Sequence, residues 1–218
     1  MSSFFIRCQL VLAILCLGAV ARGDVLANYD FTGSPGSQAF EAADFQDPFI
    51  SAGNIVRGGG LNSAAGANTI NSNFWFGGIG RLSYYEFTIT PIGGAEMTLT
   101  NLSYADRRSA TGPTTFDVTT SLDGVNFTTQ LLYNEVTAGS DIDRSIPLAG
   151  LANLTTTVTF RIFGWSSTNA GGQNALLNHS TTGGLTVEGT LFVVPEPASS
   201  GVLLALGALG LVMRRRKR

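Results

Sequence analysis

Apolar and polar positions alternate with a period of two along much of the chain. Ser83 to Thr90 places Tyr85, Phe87 and Ile89 on one face, and Val158 to Phe163 does the same with Val158, Phe160 and Ile162. Leu185 to Val193 reads as a last strand, with Gly189 as a candidate bulge. Met97 to Leu102 and Phe116 to Thr119 continue the style, and further strands are predicted at 25–31, 54–57, 127–132 and 142–148. Nine short strands with turn residues between them, and no amphipathic helix, predict an all-β sandwich or barrel. Glycine-rich stretches at 33–36, 58–66 and 77–80 are loops, and Gly58-Gly59-Gly60 precedes no helical pattern that would make it a phosphate cradle. No repeat or linker divides residues 24–193, which form one domain with enough length for one core.

Two segments break the alternation. Near the N-terminus, Arg7 precedes an apolar run from Leu10 to Val20, and Ala19-Val20-Ala21 is an A-x-A cleavage pattern. Residues 1–21 are therefore expected to be a secretory signal peptide using the general export machinery, cut after Ala21 or, as second choice, after Gly23. Leu15 before Cys16 is too large for a lipoprotein site. At the other end, Pro195, Glu196 and Pro197 are followed by an apolar run from Gly201 to Met213, then by Arg214, Arg215, Arg216, Lys217 and Arg218. Each proline keeps the residue before it out of the helical region, so 194–197 are expected to be extended and open to a protease. A single hydrophobic helix at about 199–213 is short against the ~20 residues of a relaxed span, and its cations favour the cytoplasmic side. The body is then outside and the C-terminus inside.

The string Val194-Pro195-Glu196-Pro197-Ala198-Ser199, the Gly/Leu/Ala-rich run and the Arg-rich end resemble the PEP-CTERM sorting segment of Gram-negative bacteria. The resemblance covers residues 194–218. It implies recognition by an exosortase, a membrane-embedded cysteine transpeptidase or protease. It also implies transient anchoring in the inner membrane, cleavage near the Pro-Glu-Pro, and delivery to the cell surface or the extracellular polymer matrix.

Charge and cysteine content narrow the body's chemistry. Between Asp24 and Pro197 there are six arginines, no lysine and fifteen acids, a net charge of −9 that the basic tail hides. That balance argues against nucleic-acid binding and leaves Ca²⁺ open. Cys8 and Cys16 both fall in the signal peptide, so the mature chain has no disulfide, catalytic thiolate or Cys-ligated metal. Arg22-Gly23-Asp24 straddles the cleavage region and is read as a frayed terminus rather than an adhesion motif.

Ser121-Leu122-Asp123-Gly124-Val125-Asn126-Phe127-Thr128 is a hairpin signal, because Asp-Gly tolerates the positive φ of such turns. It also resembles the S-x-D-G-x-x-[WF] hairpin of discoidin-type and galactose-binding-like jelly rolls. That resemblance implies a jelly-roll-like sandwich and carries no binding specificity. This chain lacks the disulfide that often clasps such domains, and it approaches its last strand with Leu176-Leu177-Asn178-His179-Ser180 rather than an Asp-Asn pair.

No catalytic constellation stands out. His179 is the one histidine, expected in an exposed loop. Glu86, Glu96, Asp106 and Asp117 have no spacing that selects a glycosidase pair. Asp141 and Asp143 are weak Ca²⁺ candidates on alternate positions, with outward acids on an edge strand as the competing reading; no other metal or cofactor is expected. Trp75, flanked by Phe74 and Phe76, is the candidate ligand contact, with a loop plug as its alternative. Trp165 is expected at the core edge, and Arg107-Arg108 in a solvated turn. The Asn-x-Ser/Thr sequons at 101, 126, 153 and 178 are expected to stay bare. The sequence thus describes a non-enzymatic exported sandwich with a structural or adhesive role, in contact with extracellular polysaccharide. A secreted carbohydrate-binding module or carbohydrate-active enzyme is the alternative.

Overall fold

The computed structural model describes residues 20–75, 82–135 and 137–193. Among these residues the strands are β1 (Val20–Tyr29), β2 (Pro35–Gly36), β3 (Phe40–Glu41), β4 (Phe45–Gln46), β5 (Ile50–Ala52), β6 (Ile55–Gly58), β7 (Asn62–Ala64) and β8 (Thr69–Asn73). They continue with β9 (Tyr84–Pro91), β10 (Ala95–Arg108), β11 (Thr115–Ser121), β12 (Thr128–Asn134), β13 (Ile142–Pro147), β14 (Val158–Trp165), β15 (Asn174–Leu177) and β16 (Leu185–Val193). They form two facing sheets, a jelly-roll-like β-sandwich. One sheet runs β2-β8-β15-β10-β16-β1-β4, with β13 on the free side of β10. The other runs β12-β11-β14-β9-β6-β3.

Period two becomes a core because alternate side chains of each strand point inward. In β9, Tyr85, Phe87 and Ile89 are buried while Tyr84, Glu86 and Thr88 are only partly covered. Facing aromatics fill the middle: Phe87 stacks on Phe160 at 4.8 Å and meets Tyr29 edge-on at 5.6 Å. All nine predicted strands are present. The additional ones are short or rich in Asn, Ser and Ala, as in Thr69–Asn73 and Asn174–Leu177, and lack the aromatic and β-branched signal that marks a strand.

Three expectations change. β10 runs as far as Arg108, so Arg107-Arg108 ends a strand rather than lying in a turn, and Arg108 is buried. Gly189 is not itself the bulge: the register slips between Leu99 and Asn101 in β10 and between Val25 and Ala27 in β1. The glycine is needed because a Cβ there would lie 2.2 Å from the Thr98 carbonyl. β1 begins at Val20, so its backbone ladder takes in 20–23, residues that the sequence places in the signal and its cleavage region.

The register also assigns the two ends of the sandwich. Val193, Val20 and Ala95 meet at one end through the β16–β1 and β16–β10 pairings. The turn 92–94 and the β11–β12 hairpin lie at that same end, since Pro91 pairs with Ile50, Ile89 with Val158 and Ser121 with Thr159.

Candidate functional site

β16 is an interior strand, hydrogen-bonded to β1 on one side and to β10 on the other over its whole length. Leu185, Val187 and Leu191 are buried, so the strand is locked into the core up to its last turn of pleat. Val193 is its final residue, paired with both Val20 and Ala95. The Pro-Glu-Pro begins two positions later.

Residues 193–217 match the PEP-CTERM protein-sorting motif. That motif marks the chain as an exported, membrane-transiting protein that is processed by an exosortase. It starts on the last residue of β16, so the folded domain and the sorting signal share Val193 with no spacer between them. Pro195, Glu196, Pro197, the helix expected at 199–213, Arg214 to Arg218 and Ala19 lie outside the described residues. Among the described residues, no helix is long and apolar enough to cross a membrane.

No curated protein matches the chain. Similar solved structures include a family 29 carbohydrate-binding module variant complexed with mannohexaose, at 6% identity and a TM-score of 0.42, covering 78% of this chain and 92% of that one. A second family 29 module is 7% identical with a TM-score of 0.40, covering 78% and 89%. A third, complexed with cellulohexaose, is 6% identical with a TM-score of 0.38, covering 80% and 92%. All are below a TM-score of 0.5, so neither fold nor ligand of this chain is inferred from them.

Trp75 is not available to a ligand. It is fully buried, donates its indole N–H to the Ser72 carbonyl at 2.9 Å, and meets Tyr85 edge-on at 5.3 Å. Of the two readings of this residue, the plug is the one realised: a large aromatic beside a tightly packed core has more to gain from burial than from stacking in water. Phe74 remains about half exposed, at a strained positive φ of 65°, and Phe76 lies outside the described residues.

The Ca²⁺ candidates are already engaged. Asp141 pairs with Arg107, and Asp143 accepts from the Ser180 N–H at 3.0 Å and from its hydroxyl. Burial raises the pKa of Asp143, but the Ser180 bonds outweigh it and hold the carboxyl below its usual range. Among the described residues, no three His, Cys, Asp or Glu side chains gather to hold a metal. The nitrogen Nδ1 of His179 is turned back onto the Thr181 and Thr182 amides. Of the carboxylates weighed as a glycosidase pair, Glu86 on β9 binds Arg161 at 2.6 Å, Asp117 on β11 accepts from Thr129, and Glu96 and Asp106 lie ten positions apart on β10, with Asp106 buried.

Asp106 belongs to a network that the sequence did not reveal. Arg144 on β13 donates to Asp106 at 3.0 Å, pairs with Glu135, and lies 4.2 Å over the Tyr133 ring. Tyr133 donates to Asp106 at 3.0 Å, and the Tyr104 hydroxyl is 3.1 Å from that of Tyr133. Burial pushes the Asp106 carboxyl above its usual range, against the pull of Arg144. Residues 106, 135 and 144 come from β10, the residue after β12, and β13, so no local motif announces them.

The Asp-Gly hairpin forms as expected between β11 and β12, with Gly124 at φ 72°. One Asp123 oxygen accepts the Val125 and Asn126 amides at 2.8 and 2.7 Å, which holds this carboxyl well below the usual range. Beside it lies an open cleft of about 470 Å³ lined by Leu122, Asn126, Gln130 and Leu151, among others.

Proposed function

We propose that this chain is an exported, non-catalytic β-sandwich protein with a structural or adhesive role at the cell surface or in the extracellular matrix. Its N-terminal segment directs export. Its C-terminal segment anchors it briefly in the membrane until an exosortase cuts near Pro195, Glu196 and Pro197. The sorting motif over residues 193–217 carries this reading. The non-catalytic role is supported by the structural partners of three of the candidate carboxylates: Glu86 pairs with Arg161, Asp106 with Arg144, and Asp117 accepts from Thr129. Intact-mass measurement of the exported protein, with and without the exosortase, tests it. The expected result is a mature form ending near Pro195–Pro197 only when the enzyme is present. A mature form that keeps Arg214 to Arg218 in normal cells overturns it.

A second reading, carbohydrate binding, is favoured by the cleft beside the hairpin, which sets amide side chains of Asn126 and Gln130 beside apolar Leu122 and Leu151. That mix suits a sugar's hydroxyls and its apolar face. Binding to the source cell's own polysaccharide that is lost in Asn126→Ala supports it; no binding to any polysaccharide tested counts against it.

A further inference from the structure

The geometry points to one end of the sandwich, bearing Ile92, Leu122, Val125 and Phe192, as a face that rests on the lipid surface while the tail is in the membrane. This rests on the sorting reading above and goes beyond it by assigning a docking surface to the folded domain.

Three independent observations lead there. First, the tether is short and central. Five residues separate Val193 from Ser199, where the apolar segment begins, so six Cα–Cα steps at no more than ~3.6 Å each give a reach of about 20 Å. The polar headgroup layer accounts for roughly 5–7 Å of that reach. Because β16 lies between β1 and β10, the tether leaves the middle of the end face rather than an edge. The domain is therefore held with that end toward the bilayer. β1 starts at the same place, so the N-terminal segment leaves from there as well.

Second, this end exposes apolar side chains at its tips. Val125 is 79% exposed and Leu122 50%, both on the β11–β12 hairpin. Ile92, on the β9–β10 turn, and Phe192, next to the end of β16, are also exposed. Single exposed apolar side chains are ordinary, and the opposite end exposes Phe74 and Leu82; the four at the end from which the tether leaves are what a lipid interface would take up.

Third, the two ends differ in charge. Residues 92–94, 122–126 and 149–153 carry one charge, Asp123, whose carboxylate is turned into its own loop by the Val125 and Asn126 amides, and Glu96 lies across from Phe192 in the β10–β16 pairing. The opposite end holds Asp30, Arg107, Arg108, Asp141 and Asp143. A bilayer interface admits the less charged end at lower desolvation cost.

The mature chain has no cysteine, so single probes can be placed without background. The full tail-bearing chain, with its signal peptide removed, is reconstituted in phosphatidylethanolamine/phosphatidylglycerol vesicles whose acyl chains are brominated. A fluorophore is attached at Val125→Cys or, at the opposite end, at Asn169→Cys. The expected result is loss of most of the fluorescence at 125 and none above background at 169. Adding Ile92→Asn and Leu122→Asn, both half exposed and checked for an unchanged urea midpoint, weakens the contact by up to about tenfold for each side chain removed. Equal quenching at both sites, or at neither, in a chain that still sediments with the vesicles overturns the docking face and leaves the sorting reading standing. A chain that does not sediment overturns the membrane anchor and the docking face together.

Discussion

Arg57 and Arg144 each join one sheet to the other, at opposite edges of the sandwich, and they do it with different partners. Arg57 reaches from β6 across to the other sheet. Its guanidinium donates to the carbonyls of Gly36, Gln38 and Asn71 and to the Ser72 hydroxyl. Arg144 reaches from β13 to Asp106 and Glu135 and stacks on Tyr133. One edge is closed by a cation on neutral acceptors, the other by a cation between two carboxylates. With no cysteine among the described residues, the sandwich relies on such closures, because the outermost strands have a neighbour on one side only. The Arg57 edge needs the fork of a guanidinium to serve several carbonyls at once. The Arg144 edge needs a charge, since two acids there are nearly out of water.

The comparison is open to attack by substitution, and the expected effects fall in a clear order. Trp75→Ala comes first. Its indole sits against Tyr85 and bonds the strand that Arg57 grips, so a cavity there is expected to cost about 3–5 kcal/mol by urea unfolding. Binding to any polysaccharide would change only as the folded fraction changes. Arg144→Ala is next, also ~3–5 kcal/mol, because it leaves Asp106 and Glu135 buried without their cation. Arg57→Ala is expected to cost less, roughly 2–3 kcal/mol, since it leaves neutral carbonyls rather than charges unsatisfied. Arg57→Lys should recover little of this, as one ammonium cannot span the same acceptors.

The fourth test uses pH. Asp106 has a raised folded pKa, so the folded state holds its proton more tightly than the unfolded chain. Its contribution therefore improves as pH falls through the window between the raised value and the ordinary one. Asp30, Asp123 and Asp143 have lowered values and act the other way: their contribution is present above the ordinary carboxylate range and lost as pH falls below it. Unfolding free energies from urea titrations between pH 6 and 3 should thus fall more steeply in Asp106→Asn than in the native protein. An unchanged slope would show that Asp106 does not titrate as its burial requires. The smallest effect belongs to Arg107→Ala. Its pair with Asp141 is about half exposed on both sides, so a change below ~0.5 kcal/mol is expected, shrinking further in salt.

These edges also mark where sequence reading stops. Strands with aromatic or β-branched alternation, such as β9, β14 and β16, were legible because the pattern that packs them is written in consecutive residues. β8 and β15 were not. Their Asn, Ser and Ala side chains give no strand signal, and their place is fixed by long-range bonds: the Tyr85 hydroxyl donates to the Ile70 and Asn174 carbonyls, Arg57 to that of Asn71, and the Asn71 amide to Gln173. Arg108 shows the same limit. Read as half of a charged pair in a turn, it lies buried against the Glu135 carbonyl because β10 runs on past its hydrophobic stretch. Trp75 shows it for function. An aromatic among Gly and Asn looks identical in sequence whether it faces a ligand or plugs a core.

The sequence alone determined the address and the architecture: a sorting signal made of contiguous residues, and an all-β body written in period two. Both are local, and local patterns survive in one dimension. The tertiary structure decided which side chains met. It brought Asp106, Glu135 and Arg144 into one cluster, withdrew Trp75 from solvent, and set the start of β1 and the end of β16 side by side. Those outcomes depend on register between strands up to about 170 positions apart, from Val20 to Val193, and on the desolvation of groups that no single segment contains.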